Sequence, residues 1–385
     1  MKVDKPFLEA MRHATQLIRT QGPRAATQFI QGLFRSGPPM PPATAARSSE
    51  RAGDSAAQVE DIVDPIAKVE PLAKVKPPEA PFVLPRASGE FLSKHFSSGA
   101  GARDYRLYVP SSYVGGPAPL LVMLHGCTQD PDDFALGTRA NRWAESRRCL
   151  VVYPQQTQRA NAHRCWNWFR PEDQHAGRGE PAIIAGIARQ VIDEYQIDTQ
   201  RVYVAGLSAG GAMAAIVGQA SPELFAAIGV HSGLPVGAAH NVSSALAVMK
   251  SGRPHGAPDA QANRSVVPLI VLHGDADRTV NPANASWLIE VALAAQNTVA
   301  LLRTVQQTAD ATEGNHAYRR TQHVAENGKS LVEEWVIQGA GHAWSGGDAA
   351  GSYADARGPD ATQVMLDFFD QHTAAETAAA PQITN

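Results

Sequence analysis

The residue pattern with the clearest chemical meaning surrounds Ser208. This serine is the centre of a G-x-S-x-G motif, residues 206–210, which follows the apolar run Val202–Ala205 and opens the Ala-rich segment Ala209–Gln219. A strand, a sharp turn and a helix in that order hold the serine in a strained backbone, with its hydroxyl exposed. Glycine two residues away on either side lets the neighbouring chain pass closely. The pattern predicts that Ser208 is a nucleophile.

A serine hydroxyl needs an adjacent base near neutral pH, and that base needs a third group to fix its tautomer. Two later loops, each following an apolar run, supply candidates: residues 273–280, with Asp277, and residues 339–344, with His342. In a doubly wound sheet both loops would lie at the carboxyl ends of strands, where such sheets bind ligands. We therefore expect His342 to be the general acid/base and Asp277 to orient it.

Both positions have rivals in the sequence. Asp275 shares a turn with Asp277, but the H-G-x-x-D-x-x-V pattern that is usual in folds with this serine turn selects Asp277, and Asp275 is explained by turn closure. His316 and His323 lie in a polar segment before the last predicted strand. Other histidines end predicted strands and are interpreted as hydrogen-bonded residues of the same rim: His125, His231 and His273.

Acyl transfer also requires backbone N–H groups directed at the negative charge that develops on the carbonyl oxygen. One usually belongs to the residue after the nucleophile, which is Ala209. The other usually comes from the loop after an early strand. The amide of Cys127, just after the apolar run Leu120–His125, is the candidate.

These residues need a sheet that brings several loops to one edge. Short apolar runs alternate with helical segments from residue 88 onward. The predicted strands are Tyr105–Val109, Leu120–His125, Cys149–Tyr153, Val202–Ala205, Ala226–His231, Leu269–His273 and Leu331–Ile337. The predicted helices are Pro181–Tyr195, Ala209–Gln219, Asn284–Ala295 and Asp360–His372. The alternation predicts a doubly wound, mainly parallel α/β sheet with helices on both faces.

The remaining chain divides by composition. Residues 1–35 carry apolar side chains at helical intervals and predict amphipathic helices, which would dock on the domain or contact a polymer or lipid surface. Residues 36–87 are rich in Pro and Ala and predict a disordered linker. Residues 88–375 form the predicted catalytic domain, and residues 376–385 a disordered tail.

Composition excludes several classes of protein. Hydrophobic residues make up 44% of the chain, which suffices for a large core. The formal net charge is −3 and no basic tract is present, so we expect no nucleic-acid partner. No apolar run is long enough for a transmembrane helix. The three cysteines lack metal-site spacing, and we expect neither a metal nor a cofactor.

Four motifs in order carry a family resemblance: residues 125–129 (HGCTQ), 165–168 (CWNW), 206–211 (GLSAGG) and 341–345 (GHAWS). Together they resemble the esterase family of poly(3-hydroxybutyrate) depolymerases, related to feruloyl and acetylxylan esterases. The resemblance covers roughly residues 90–373 and implies an α/β-hydrolase fold and attack on carboxylic esters, often of hydroxyalkanoates. It also implies secretion, although no signal peptide is visible, so a cytoplasmic location stays open.

Several functional alternatives stay open. A poly(3-hydroxybutyrate) or hydroxyalkanoate-oligomer depolymerase is the preferred hypothesis and a feruloyl or acetylxylan-type esterase is the alternative, whereas a peptidase of this fold would need extra specificity domains. A catalytically silent, surface-binding protein is the alternative from another class. It is disfavoured because the nucleophile, acid and base candidates each occur in the expected context.

Two further hypotheses concern the loops near the site. Trp166, Asn167, Trp168 and Trp344 would form a substrate-binding wall, with core packing of the tryptophans as the alternative. Cys127 and Cys165 would form a disulfide between the two active-site loops, and the alternative is a pair of reduced thiols. Cys149, which opens an apolar strand, is expected to be a buried, inert thiol.

Overall fold

The computed structural model describes residues 84–253, 267–296 and 302–374. Ten of the described strands form one sheet: β1 (Glu90–Ser98), β2 (Gly101–Val109), β3 (Ala118–Leu124), β4 (Leu150–Pro154), β5 (Ile197–Leu207), β6 (Ala227–His231), β7 (Leu269–Gly274), β8 (Arg303–Ala309), β9 (Tyr318–Val324) and β10 (Ser330–Ile337). Their order across the sheet is β1-β2-β4-β3-β5-β6-β7-β10-β9-β8. The six central strands, from β4 to β10 in this order, are parallel, and the two strands at each edge pair antiparallel.

Helices cover both faces of this sheet. They are α1 (Pro131–Thr138), α2 (Ala140–Arg147), α3 (Gly179–Glu194), α4 (Ala209–Ala220), α5 (Val242–Ser251), α6 (Ala283–Gln296) and α7 (Ala361–Phe369). One core contains side chains of α3, α4, α5 and α6, and the other contains side chains of α1, α2 and α7. The predicted doubly wound, mainly parallel α/β fold is confirmed.

Strand β3 shows why the central strands are largely apolar. All seven of its residues are buried. Leu120, Val122 and Leu124 enter one core, whereas Leu121 and Met123 enter the other. Because successive side chains of a strand point to opposite faces, a strand covered by helices on both faces is apolar at nearly every position.

All seven predicted strands and all four predicted helices exist, with ends shifted by a few residues. The sequence patterns missed β1, β8 and β9, which are antiparallel strands at the sheet edges with largely exposed or half-buried side chains. Strand β9, with the sequence YRRTQHV, contains His323, which the sequence analysis placed in a polar segment before the last predicted strand. Edge strands need no continuous apolar run, so apolar patterning does not reveal them.

The expectations for residues 1–35, for most of the linker and for the tail lie outside the described residues. At the start of the described chain, Leu84 is buried, and the Arg142 guanidinium donates hydrogen bonds to the carbonyls of Leu84 and Pro85. The end of the predicted linker thus packs against the sheet domain. Within the described ranges, no helix has the length and hydropathy that a bilayer crossing requires.

Candidate active site

Ser208 lies at the sharp turn between β5 and α4. Its backbone has a positive φ, which is rare for residues other than glycine, with φ 59° and ψ −120°. Its N–H donates a hydrogen bond to the carbonyl of His231 at 2.9 Å. A β-carbon at Gly206 would lie 2.4 Å from the backbone of Gly210, and one at Gly210 would lie 2.0 Å from the carbonyl oxygen of Leu124. The turn therefore requires glycine at both flanking positions, as the motif predicts.

Asp277 and His342 meet at the same edge of the sheet. Asp277 follows β7 and His342 follows β10, and these two strands are parallel neighbours. His342 Nδ1 lies 2.7 Å from Asp277 Oδ2. The other carboxylate oxygen accepts hydrogen bonds from the backbone N–H groups of Thr279 at 2.8 Å and Val280 at 2.9 Å. The carboxylate is thus held in one orientation.

The electrostatics of Asp277 keep it ionised. Burial alone would raise the pKa of this carboxyl group. The rings of His342 and His273 outweigh that effect through charge interaction and hydrogen bonding, and they hold the pKa of Asp277 well below its usual range. An ionised Asp277 fixes the proton of His342 on Nδ1 and leaves Nε2 as the nitrogen that can accept a proton.

The rival residues have other partners. Asp275 is exposed, and its carboxylate accepts from the N–H of Gly339 at 2.6 Å, which joins the turn after β7 to the loop after β10. His316 Nε2 lies 3.0 Å from Asp355 Oδ2. His323 Nδ1 lies 3.2 Å from the hydroxyl of Thr304. None of these contacts joins a rival to Ser208, Asp277 or His342.

His231 connects the serine turn to the histidine loop. Its carbonyl accepts from Ser208 N–H, and its Nε2 accepts from the N–H of Ser345 at 3.1 Å. Burial lowers the pKa of His231 to about 3, so this ring is a neutral acceptor. Within the described part of the chain no hydrogen bond joins the Ser208 hydroxyl to His342. Such bonds are often long before substrate binds.

The loop after β3 lies beside Ser208. A β-carbon at Gly126 would lie 3.7 Å from Ser208 Cβ. Among the described hydrogen bonds, none uses the N–H of Cys127 or of Ala209 as donor, whereas Gly126 N–H donates to Gln129 Oε1 at 2.9 Å. Both candidate amides are thus available beside the serine.

The hypothesis of a disulfide is confirmed, because Cys127 and Cys165 are bonded to each other. Two more contacts join the same loops: Thr128 N–H donates to the carbonyl of His163 at 2.7 Å, and Gln156 N–H donates to His125 Nε2 at 3.1 Å. Cys149 is a free, buried thiol, as expected, and burial raises its pKa to about 12.

The structure corrects the expectation of an aromatic wall. Trp166, Trp168 and Trp344 are 0%, 4% and 1% exposed, so they belong to the core, which was the alternative explanation. Trp344 stacks on His231 with ring centroids 5.2 Å apart, and its indole N–H donates to Thr362. The apolar surfaces of these three side chains pack inside the protein, so little of that surface is accessible to a substrate.

Asn167 is likewise turned inward, because it binds a buried carboxylate. Its backbone N–H and its side-chain amide each donate to Glu180 at 2.7 Å. Burial raises the pKa of Glu180, and the hydrogen bonds from Asn167 and Gln156 only partly offset that effect. Glu180 therefore anchors the loop that carries Cys165. The sequence pattern did not reveal this role, because an acidic residue in the first turn of a helix, such as Glu180 in α3, is common without any further partner.

Sequence reasoning also missed a second connection, between the loop after β3 and residues 351–355. Gln129 Nε2 donates to the carbonyl of Ser352 at 3.0 Å, and Ser352 N–H donates to Asp133 at 2.8 Å. Gln129 belongs to the HGCTQ motif, but the partner residues carry no local signal.

In the described ranges no group of three or more His, Cys, Asp or Glu is placed to hold a metal ion.

The family resemblance can be tested directly. The family model described as "Esterase PHB depolymerase" matches residues 103–314, more than half of the chain. This chain belongs to that esterase family. The matched range includes the loop after β3, the Ser208 turn and Asp277, and it stops before His342.

Similar proteins agree with this assignment. The chain is 30% identical over 279 residues to poly(3-hydroxyalkanoate) depolymerase C of Paucimonas lemoignei, which covers 68% of this chain and 64% of the depolymerase. It is 27% identical over 217 residues to probable acetylxylan esterase A of Aspergillus clavatus, covering 52% of this chain and 69% of that protein. The chain thus spans slightly under two thirds of the depolymerase.

A solved structure shares the fold. The acetyl xylan esterase of Aspergillus awamori superposes with a TM-score of 0.56 at 19% identity, covering 73% of this chain and 99% of that chain. The α/β-hydrolase fold that the motifs implied is confirmed.

Proposed function

We propose that this esterase-family chain is a serine carboxylic ester hydrolase that cleaves hydroxyalkanoate oligomers or polymers through an acyl-enzyme on Ser208. The observation that carries the proposal is the hydrogen bond between Asp277 and His342. Their loops follow the carboxyl ends of β7 and β10, which are parallel to β5, the strand that precedes the Ser208 turn. A carboxylate, an imidazole and a serine in this order form the proton-transfer chain of serine hydrolases.

The reaction proceeds in two halves. His342 Nε2 removes the hydroxyl proton as Ser208 Oγ attacks the ester carbonyl, and the N–H groups of Cys127 and Ala209 bind the oxyanion. His342 then gives the proton to the oxygen of the leaving alcohol, which leaves an acyl-serine. A water molecule, deprotonated by His342, attacks the acyl-serine, and the acid leaves as Ser208 regains its proton.

The hydroxyalkanoate substrate is proposed because the chain is 30% identical to a protein named poly(3-hydroxyalkanoate) depolymerase C. The second candidate is an acetylxylan-type esterase. It is favoured by the match to probable acetylxylan esterase A and by the shared fold of an acetyl xylan esterase.

A substrate panel tests the proposal. Purified full-length protein is given 3-hydroxybutyrate oligomers, acetylated xylan and feruloyl esters, and the released acids are measured. We expect the highest kcat/KM on the hydroxybutyrate oligomers, and loss of nearly all hydrolysis in Ser208→Ala, with unchanged circular dichroism. Faster release of acetate from xylan would assign the second candidate. Full activity of Ser208→Ala would overturn the mechanism.

A further inference from the structure

Tyr353 occupies an unusual backbone conformation beside the proposed active site. Its φ is 50°, in the left-handed region, where a bulky side chain is rare. Its carbonyl accepts from the N–H of Trp344 at 2.6 Å, next to the two-stranded pairing of β11 (Trp344–Ser345) with β12 (Ala354–Asp355). That pairing begins two residues after His342 and fixes where Tyr353 lies relative to the histidine.

The segment around Tyr353 is also fixed to the loop after β3. Gln129 receives the N–H of Gly126 on its amide oxygen, and its amide nitrogen donates to the carbonyl of Ser352. Asp133 accepts from the N–H of Ser352. Tyr353 is therefore attached both to the loop of the proposed oxyanion donor and to the loop of the proposed base.

The phenol ring lies between these two loops. Its centroid is 6.5 Å from that of the His342 ring, in an edge-to-face arrangement, and its hydroxyl lies 3.4 Å from Thr128 Oγ1. Thr128 is exposed and has a φ of 67°, so, like Tyr353 and Ser208, it is a non-glycine residue with a left-handed φ. Such conformations persist only where their surroundings impose them, and they cluster at ligand sites.

The contact between the two hydroxyl groups is weak and replaceable. Thr128 Oγ1 already donates to the carbonyl of Cys127 at 2.6 Å, which leaves it as an acceptor for the phenol. At 3.4 Å the contact between Tyr353 and Thr128 is longer than an ordinary O–H···O hydrogen bond. A ligand oxygen that accepts the Tyr353 proton at a shorter distance would exchange a long bond for a good one.

The proposed reaction indicates which part of an ester substrate lies beside Tyr353. His342 must be within hydrogen-bond reach of the leaving alcohol oxygen to protonate it. The alcohol portion therefore lies beside His342, and so beside the Tyr353 ring. We propose, on the basis of the ester hydrolysis proposed above, that the Tyr353 hydroxyl, supported by Thr128, binds the alcohol portion of the substrate. This contact selects alcohols with a nearby acceptor, such as the next ester carbonyl of a hydroxyalkanoate chain.

The test compares two 3-hydroxybutyrate esters whose alcohol portions differ. The 3-hydroxybutyrate trimer is compared with p-nitrophenyl 3-hydroxybutyrate, whose leaving group has no ester carbonyl. We expect Tyr353→Phe to lower kcat/KM for the trimer about 3- to 10-fold more than for the nitrophenyl ester, in line with the loss of one hydrogen bond. Thr128→Val should shift the same ratio in the same direction by a smaller factor.

Tyr113→Phe is the matched control. The Tyr113 hydroxyl accepts the N–H of Gln196, which lies at the amino end of β5, at the opposite end of that strand from Ser208. This variant should leave the ratio of the two substrates at its wild-type value. Equal losses on both substrates in Tyr353→Phe would overturn the inference. If the wild-type protein prefers acetylated xylan, the proposed substrate fails but the inference is tested in the same way with acetylated xylo-oligosaccharide against p-nitrophenyl acetate. Wild-type protein that hydrolyses no ester would overturn both proposals.

Discussion

His342 Nδ1 and Asp277 Oδ2 lie 2.7 Å apart, although 65 residues of chain separate them. Strands β7 and β10 are parallel neighbours, so the loops at their carboxyl ends meet. Asp275, two residues earlier, is exposed and accepts from the N–H of Gly339 instead. The two carboxylates of one turn thus have different partners, which makes them a matched pair for mutagenesis.

Asp277→Asn should lower kcat for ester hydrolysis by about 10³–10⁴-fold, because an amide no longer fixes the His342 tautomer or stabilises the imidazolium. Asp275→Asn keeps an oxygen that can accept from Gly339 and should retain kcat within about tenfold of wild type. Steady-state kinetics on a soluble ester measure both effects. A larger loss in Asp275→Asn than in Asp277→Asn would contradict the assignment of the acid.

Removal of the disulfide should loosen the loop of the oxyanion donor. The bridge joins positions 38 residues apart. The double variant Cys127→Ala, Cys165→Ala should therefore lose about 2–4 kcal/mol in the free energy of unfolding, measured by urea titration. We also expect a lower kcat on soluble esters, since the N–H of Cys127 loses a fixed position.

Cys149→Ala is the control for that experiment, because Cys149 is a buried thiol outside the bridge. It should leave kcat at its wild-type value. Mass spectrometry of unreduced peptides should show one linked peptide pair containing Cys127 and Cys165. Separate, alkylatable peptides in the protein as purified would refute the bridge.

Acid should destabilise the fold before the carboxylates titrate. Burial lowers the pKa of His125 to about 4 and that of His231 to about 3, so both rings are neutral in the folded protein where the unfolded chain binds protons. Each contributes a loss of about 1.4 kcal/mol per pH unit as the pH falls below about 6.5, down to its own folded pKa. Between about pH 6.5 and 5 these two rings together should lower the free energy of unfolding by about 3–4 kcal/mol.

Asp277 acts in a different window. Its lowered pKa contributes stability at every pH above the ordinary aspartate range, and this stability is lost only as the pH falls below that range. Asp277 therefore adds nothing to the slope in the histidine window, to which His163 and His323 also contribute because burial lowers the pKa of each. His231→Gln should make the slope shallower in urea titrations across this window. A slope in His231→Gln equal to that of the wild type would contradict a neutral His231 in the folded protein.

Trp344→Ala should act on stability rather than on substrate choice. The indole is 1% exposed and stacks on His231, so its truncation should cost about 3–5 kcal/mol. Well below the melting temperature, kcat/KM should change by the same factor for the 3-hydroxybutyrate trimer and for p-nitrophenyl 3-hydroxybutyrate. Trp344→Phe, which keeps an aromatic ring, should lose less stability. A selective loss on the trimer would restore the interpretation of Trp344 as a substrate contact.

The sequence alone determined the features that depend on local chain geometry. The turn at Ser208 requires glycine at Gly206 and Gly210, because a β-carbon at either position would clash with neighbouring backbone. The G-x-S-x-G motif therefore predicted this turn. The all-buried strands are apolar except for histidines near their carboxyl ends, such as His231 and His273, and this made the parallel centre of the sheet predictable. The H-G-x-x-D-x-x-V spacing selected the aspartate that the structure joins to His342.

Only the tertiary structure decided which side chains of the loops face inward. Tryptophan suits a buried core and an exposed binding wall equally well, so the sequence could not place Trp166, Trp168 or Trp344. Asn167 binds Glu180, and Tyr353 reaches Thr128 across 225 residues of chain. These contacts arise where separate loops meet at the carboxyl edge of the sheet. Their partners are fixed by the packing of strands and loops that are distant in sequence, so no local pattern encodes them.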